Sequence, residues 1–189
     1  MDLLKKRIKE VGCVVSSGVV KLDAILNHQV DPELIMAMGK EFADKFRPLK
    51  PTKVLTIESS GIAIAFATAY ELGVPLVFAR RKKTPTMDAN VYEERVPSFT
   101  KGIVTDIMIS SNYLSHEDRV VLIDDFIANG DAARGIIRII DKARAELLGV
   151  GIAVEKAFQP GGDSIREMGY EVYSLARIQS LENGQIVLE

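Results

Sequence analysis

The chain has 189 residues, 47% of them hydrophobic, and a formal net charge of −2. That length buries one full core, so a single domain over 1–189 is expected. The near-even charge balance leaves chain-wide attraction to nucleic acid weak. A single cysteine, Cys13, excludes an intramolecular disulfide, the first residues lack a secretion signal's apolar stretch, and no run is long enough to span a bilayer. The expectation is a cytoplasmic protein with no membrane and no nucleic-acid partner.

Leu3, Leu4, Ile8 and Val11 recur at helical spacing among lysines, so the chain opens on an amphipathic helix. A short strand is expected over 19–22, then a polar turn holding Asn27 and His28. Asp31-Pro32-Glu33 reads as a capped helix start, and Leu34, Met38, Phe42 and Phe46 give that helix one apolar face. A strand over 53–57 runs into the turn Glu58-Ser59-Ser60-Gly61. The segment 62–72 is apolar nearly all round, which predicts a buried helix closed by Gly73 and Pro75. Further strands are expected over 76–79, 120–123 and 150–154. Between the last two lies a helix from Asp131 with Ile136, Ile140, Ala143 and Leu147 inward. Apolar strands alternating with helices predict an α/β fold with a mostly parallel sheet covered on both faces. The polar excursion 80–99 breaks this rhythm and is read as a mobile lid. Its end, 95–99, pairs with 103–109 in a hairpin around Thr100-Lys101-Gly102.

In open parallel sheets ligands bind beyond the carboxyl ends of the strands. Four strands here end in polar groups: the Glu58 turn, the basic cluster Arg80-Arg81-Lys82-Lys83, the pair Asp124-Asp125, and Glu155-Lys156. The third is the most informative. Four apolar residues lead to two carboxylates, and the small-residue loop Ala128-Asn129-Gly130-Asp131-Ala132 then opens a helix. Free backbone N–H groups and the helix dipole suit such a loop to a phosphate. Carboxylates beside it make sense if they hold sugar hydroxyls or a metal bridging to them. The joint demand is for a phosphorylated sugar. The Ser59-Ser60-Gly61 turn, at the start of the next helix, is a second anion site.

The run from Val120 to Ala132 resembles the signature of the type I phosphoribosyltransferases, with Asn129 where most members carry Thr or Ser. The resemblance implies that Asp124 and Asp125 are the catalytic pair on the ribose hydroxyls. It implies that Ala128, Asn129, Gly130, Asp131 and Ala132 wrap the 5-phosphate of 5-phosphoribosyl-1-diphosphate. Ser59, Ser60 and Gly61 would hold the diphosphate in a loop containing a non-proline cis peptide, at Ser59–Ser60 or its neighbour. Arg80 would neutralise the leaving group, whereas Arg81 and Lys83 read as solvated. The family also implies substrate-bound Mg2+ with no direct protein ligand, a homodimer, and a hood, from about 1–30 and 156–189, over a core of about 31–155.

Across the chain the resemblance extends to bacterial xanthine phosphoribosyltransferases, through Ile25-Leu26-Asn27-His28-Gln29, Glu155-Lys156-Ala157-Phe158-Gln159-Pro160-Gly161 and the stretch 174–181. It implies that the purine meets Val20, Asn27 and Lys156. Asn27 and Lys156 offer donors to the two exocyclic carbonyls of xanthine, and an amino group there would face a donor. Taken by its type, His28 reads as a structural hydrogen-bonding residue, and Phe158 as a stacking or a core aromatic. Ala128 stands where related hypoxanthine–guanine enzymes carry an Asp, so no general base sits at that position. The purine proton would leave before binding, or pass to water or to Glu58. Two alternatives follow from the same fold: an enzyme for another base, and a non-enzymatic sensor of the phosphoribosyl donor.

Overall fold

The computed structural model of the chain describes residues 1–16, 18–82, 90–98, 103–182 and 184–189. The apolar runs form one six-stranded sheet. Its strands are β3 (Lys53–Ile57), β4 (Leu76–Ala79), β7 (Arg119–Ile127), β8 (Glu146–Lys156), β9 (Val172–Glu182) and β10 (Gln185–Leu188), in the order β10-β9-β8-β7-β3-β4. All neighbours are parallel except β10, which runs antiparallel to β9 at one edge. Side chains alternate across this sheet. Val54, Val121 and Ile123 pack to one side, and Leu55, Val120 and Leu122 to the other.

The first side is covered by α1 (Asp2–Val11), α2 (Pro32–Phe46) and α3 (Gly61–Leu72); the second by α4 (Asp131–Ala143) and α5 (Gly161–Glu167). The start of α2 forms as its sequence predicts. The Asp31 carboxylate accepts from the Leu34 N–H at 3.2 Å, Pro32 is the first helical residue, and Leu34, Met38, Phe42 and Phe46 are all buried. Gly73 closes α3 at φ +72°.

Three expectations need correction. The strand expected to stop at Ile123 runs on through both aspartates to Ile127, because pairing to β8 continues at Asp124–Ile152, Phe126–Val154 and Ile127–Glu155. Leu147 belongs to β8 and not to the helix before it, since Arg144 turns left-handed at φ +57° and ends α4. Nor is α3 buried all round. Ile64, Ala65, Ala67 and Thr68 face inward, but Phe66 and Tyr70 are 59% and 68% exposed. Composition alone could not separate these faces, because both are apolar.

The excursion after β4 contains a hairpin of β5 (Val91–Ser98) and β6 (Ile103–Ser110), paired from Val91–Ser110 to Ser98–Ile103. Its first strand begins four residues earlier than the sequence suggests. Both strands are docked along α4, so the 91–98 part of the expected lid is a packed strand. Val96 and Ile107 lie so close to Gly135 that a Cβ there would strike them, and Glu94 pairs with Arg138 and Lys142, each at 2.7 Å. Residues 83–89 and 99–102 lie outside the described residues. They include Lys83, the hairpin turn at Thr100-Lys101-Gly102 and much of the expected lid.

At the other end of the chain's path, β1 (Cys13–Ser16) and β2 (Val19–Lys21) form a small antiparallel hairpin, and a π-helical turn (Asp23–Asn27) follows. Helix α1 reaches the sheet through Leu4 and Ile8, and the Met1 ammonium donates to the Leu175 carbonyl at 2.5 Å. The two ends of the chain also meet, Lys5 Nζ donating to the Glu189 carbonyl at 2.5 Å.

Candidate active site

Strand β7 delivers the phosphate-shaped loop. After Ile127 the chain turns through Ala128, Asn129 and Gly130 and enters α4 at Asp131. Gly130 takes φ +82°, a left-handed conformation that glycine adopts without strain, and no side chain caps the first amides of α4, which the helix itself leaves unpaired. Behind the loop stands Gly161, whose N–H donates to the Ala128 carbonyl at 2.9 Å. A Cβ on Gly161 would collide with that carbonyl and lie 2.6 Å from the Gly130 nitrogen. The loop therefore rests directly on the backbone at the start of α5.

A cavity of about 210 Å³ opens in front of it, lined by residues 126–133 together with Arg81, Val96, Pro97, Asp124 and Ile152. All five loop residues singled out in the sequence are here, with Asp124. Asp124 and Asp125 are buried, each 8% exposed. Burial, reinforced by the neighbouring Asp125 charge, pushes the Asp124 carboxyl well above the usual aspartate value. One Asp124 oxygen accepts from the Asp125 N–H at 3.0 Å. Gly61 sits against the same oxygen: a Cβ there would lie 2.5 Å from Asp124 Oδ1 and 2.5 Å from the Thr56 hydroxyl. The Ser59-Ser60-Gly61 turn is thereby seated beside Asp124, but neither this turn nor Asp125 is among the lining residues of the cavity. The cis peptide in this turn is Glu58–Ser59.

The basic cluster divides differently from its sequence reading. Arg81, taken as a solvated cation, lines the cavity, whereas Arg80 is not among the lining residues. Arg80 Nε pairs with Glu58 at 2.9 Å, and its guanidinium lies over the Phe78 ring. The other Glu58 carboxylate oxygen accepts from the Arg81 N–H at 2.6 Å, and Arg81 Nε donates to the Glu58 carbonyl at 2.9 Å. Both Glu58 oxygens are thus engaged, which disfavours its use as a proton acceptor. This division depends on a tertiary contact between two strand ends that no local sequence signal carries.

Above β8, Lys156 Nζ donates to the Gly18 carbonyl at 2.8 Å and lies 5.8 Å from the centre of the Phe126 ring. One side chain therefore spans from the cavity wall to the N-terminal hairpin, and burial lowers its ammonium from the ordinary lysine value. Val20 is 8% exposed and belongs to the core on this side. Asn27 and His28 are exposed at the end of the π-helical turn. The structural hydrogen bond expected of His28 is not made by its ring among the described residues. Phe158 is 38% exposed, which removes its reading as a core aromatic.

Glu155, grouped with Lys156 in the sequence as a strand-end polar residue, turns inward. Its carboxylate, 1% exposed, receives two 2.8 Å bonds from Arg166 and one of 2.5 Å from Ser174, with Arg177 3.4 Å away. Burial works to raise this carboxyl. The Arg166 and Ser174 hydrogen bonds and the two guanidinium charges outweigh it and hold the group below the usual 4.5. A lowered folded-state value stabilises the protein above the ordinary glutamate range, and that contribution is lost as pH falls through the folded-state value. Glu155→Gln is therefore expected to cost about 1–3 kcal/mol at neutral pH, with the gap from the native protein closing in thermal melts as pH falls through the lowered folded-state value.

Sequence reasoning missed Arg81, Gly161 and Arg134. The last donates to the Asn129 carbonyl and the Asp131 carboxylate from beneath the loop.

Known proteins resemble this chain over nearly its whole length. The family described as phosphoribosyl transferase domain matches residues 22–165. The xanthine phosphoribosyltransferase of Moorella thermoacetica is 51% identical over 98% of this chain and 95% of its own length. That of Acinetobacter baylyi is 50% identical over 98% and 97%. Among solved structures, the adenine phosphoribosyltransferase of Trypanosoma brucei superposes with a TM-score of 0.76 at 20% identity, covering 92% of this chain and 79% of that one. The enzyme of Saccharomyces cerevisiae gives 0.72 at 21% identity, covering 93% and 99%. At these identities the superpositions speak to the fold alone. With an acidic strand end running into a phosphate-shaped loop, a matching family over most of its length and relatives half identical throughout, this chain belongs to the phosphoribosyltransferase family.

Proposed function

We propose that the protein transfers the 5-phosphoribosyl group of 5-phosphoribosyl-1-diphosphate to xanthine, giving xanthosine 5-phosphate and diphosphate, a purine-salvage reaction. One observation carries the reading. The cavity that holds the open-amide loop 128–132 also holds Asp124, in a chain half identical to proteins named for this activity. The loop takes the 5-phosphate. Asp124 and Asp125 hold the ribose hydroxyls, and their charge stabilises the cation that grows at the anomeric carbon as its bond to diphosphate breaks and the purine nitrogen bonds. Arg81, on the cavity wall, and the Ser59-Ser60-Gly61 turn receive the departing diphosphate, with Arg80 behind them.

No group of three or more His, Cys, Asp or Glu among the described residues could hold a metal unaided. A carboxylate pair beside a sugar-phosphate cavity fits a magnesium ion carried mainly by substrate oxygens, with Asp124 and Asp125 holding it through the ribose hydroxyls. When bound it supplies charge neutralisation at the leaving group. With Glu58 engaged by Arg80 and Arg81, the purine proton goes to water or has left before binding. An anionic xanthine oxygen would recover for Lys156 what burial costs it. The purine lies under the hood, against Val20, Asn27 and Lys156.

No helix among the described residues is long and apolar enough to cross a membrane. The family resemblance adds a homodimer in the cytoplasm without nucleic-acid partners, and the exposed Phe66 and Tyr70 offer a second copy an apolar face.

A steady-state assay with xanthine, guanine, hypoxanthine, adenine and orotate tests the whole reading. Xanthine is expected to be consumed with stoichiometric release of diphosphate. Preference for another base overturns the base assignment, and donor binding without turnover on any base favours the sensor. Base choice also has a mutational test. Lys156→Ala is expected to raise the xanthine Michaelis constant about 10- to 150-fold, the worth of a hydrogen bond to a charged group, and to alter the donor's constant far less. Asn27→Asp should raise the guanine-to-xanthine ratio of kcat/KM, because the new carboxylate accepts from a 2-amino group and repels a 2-carbonyl.

A further inference from the structure

An acidic side chain stands in the loop assigned to a phosphate. Asp131 is the first residue of α4 and a lining residue of the cavity. A bare carboxylate there would repel a phosphate dianion across a few ångströms. Arg134, one turn later on the same helix, lies against it: Nη2 is 2.7 Å from Asp131 Oδ1 and also donates to the Asn129 carbonyl at 2.9 Å. The second terminal nitrogen donates to Ser164 Oγ at 2.6 Å, and that hydroxyl donates to the Gly161 carbonyl at 2.8 Å. The Arg134 N–H completes the set on the Gly130 carbonyl at 2.9 Å. A single planar fork thus joins the loop backbone, the loop carboxylate and the start of α5. The two side chains are 28% and 17% exposed, so water screens the pair only in part.

We propose that Arg134 is a positioning residue that masks the Asp131 charge and holds the loop open-amide side outward, so that the 5-phosphate end of the sugar can bind. The proposal rests on the reading that this loop takes that phosphate. Its signature is a charge effect: removing Arg134 unmasks Asp131, and removing Asp131 as well cancels the loss.

The test is titration calorimetry of the whole protein with 5-phosphoribosyl-1-diphosphate and magnesium, and separately with ribose 5-phosphate, which lacks the diphosphate. Arg134→Met is expected to weaken both ligands by a similar factor of about 10- to 100-fold, with the xanthine Michaelis constant held. Adding Asp131→Asn should restore both to within about threefold, and the Arg134→Met deficit should shrink between roughly 0.05 and 0.5 M salt. Arg134→Lys, which keeps the cation but loses the fork, should keep most of the affinity; it carries the test if Arg134→Met does not fold. A deficit that survives in the double variant, affects only the donor, or is absent from Arg134→Met overturns the masking role. A native protein that binds neither ligand overturns the functional reading itself, and that is seen before any variant is compared.

Discussion

Replacing Asp124 and Asp125 together with asparagine is expected to lower turnover by at least about 100-fold, since electrostatic stabilisers of a growing charge are each worth about 3–4 kcal/mol. The same change should raise the melting temperature of the ligand-free protein. Asp124 is buried, its neighbour is a second carboxylate, and its folded-state value is raised. With a raised value, the protonated form is the one the fold favours. The associated stability is present below the ordinary aspartate range and is lost as pH rises through the folded-state value. At neutral pH keeping the Asp124 carboxyl charged is therefore a cost, which asparagine removes while keeping size and hydrogen-bonding capacity. Thermal melts and initial rates on the same preparation check both halves. Near-native turnover in a folded double variant would falsify the ribose-contact role, and a lowered melting point would show that the pair is structural.

The second large effect is expected at Gly161. Valine there drives a side chain into the Ala128 carbonyl and the Gly130 nitrogen, both backbone atoms that cannot swing aside. The loop must move off the start of α5, and its amides lose the outward set that a phosphate needs. Donor affinity should fall below detection by calorimetry, with Lys156, the proposed base contact, at the end of β8 and untouched. Gly130→Val should act in the same direction for another reason, the φ of +82° that a β-branched residue resists. Unchanged donor affinity in a folded Gly161→Val protein would remove the loop from the binding site.

These variants also show where sequence legibility ends. The acidic pair and the five loop residues could be read from one contiguous run, since the order of apolar, acidic and small residues is local chemistry written along a strand and a turn. Asp31, Pro32 and the apolar face of α2 were equally plain, because capping and the 3.6-residue period act within a few neighbours. Arg81 was not. Its role follows from Glu58 binding it 23 residues away, and on its own it looks like any cation in a basic run. Gly161 was visible as part of a resembling stretch, yet nothing local says that it supports a loop some thirty residues earlier.

The sequence by itself determined the class of the fold, the strand that carries the acidic pair, the loop shaped for a phosphate and the family. Each of these rests on patterns of period two or 3.6, or on a short ordered motif. Only the tertiary structure decided which cation faces the cavity, that Glu155 is held by Arg166 and Ser174 while Lys156 reaches Gly18, and that one face of α3 stays open. The physical reason is the same in each case. Charges and apolar surfaces choose partners by proximity, and the parallel sheet brings together strand ends that lie tens of residues apart along the chain.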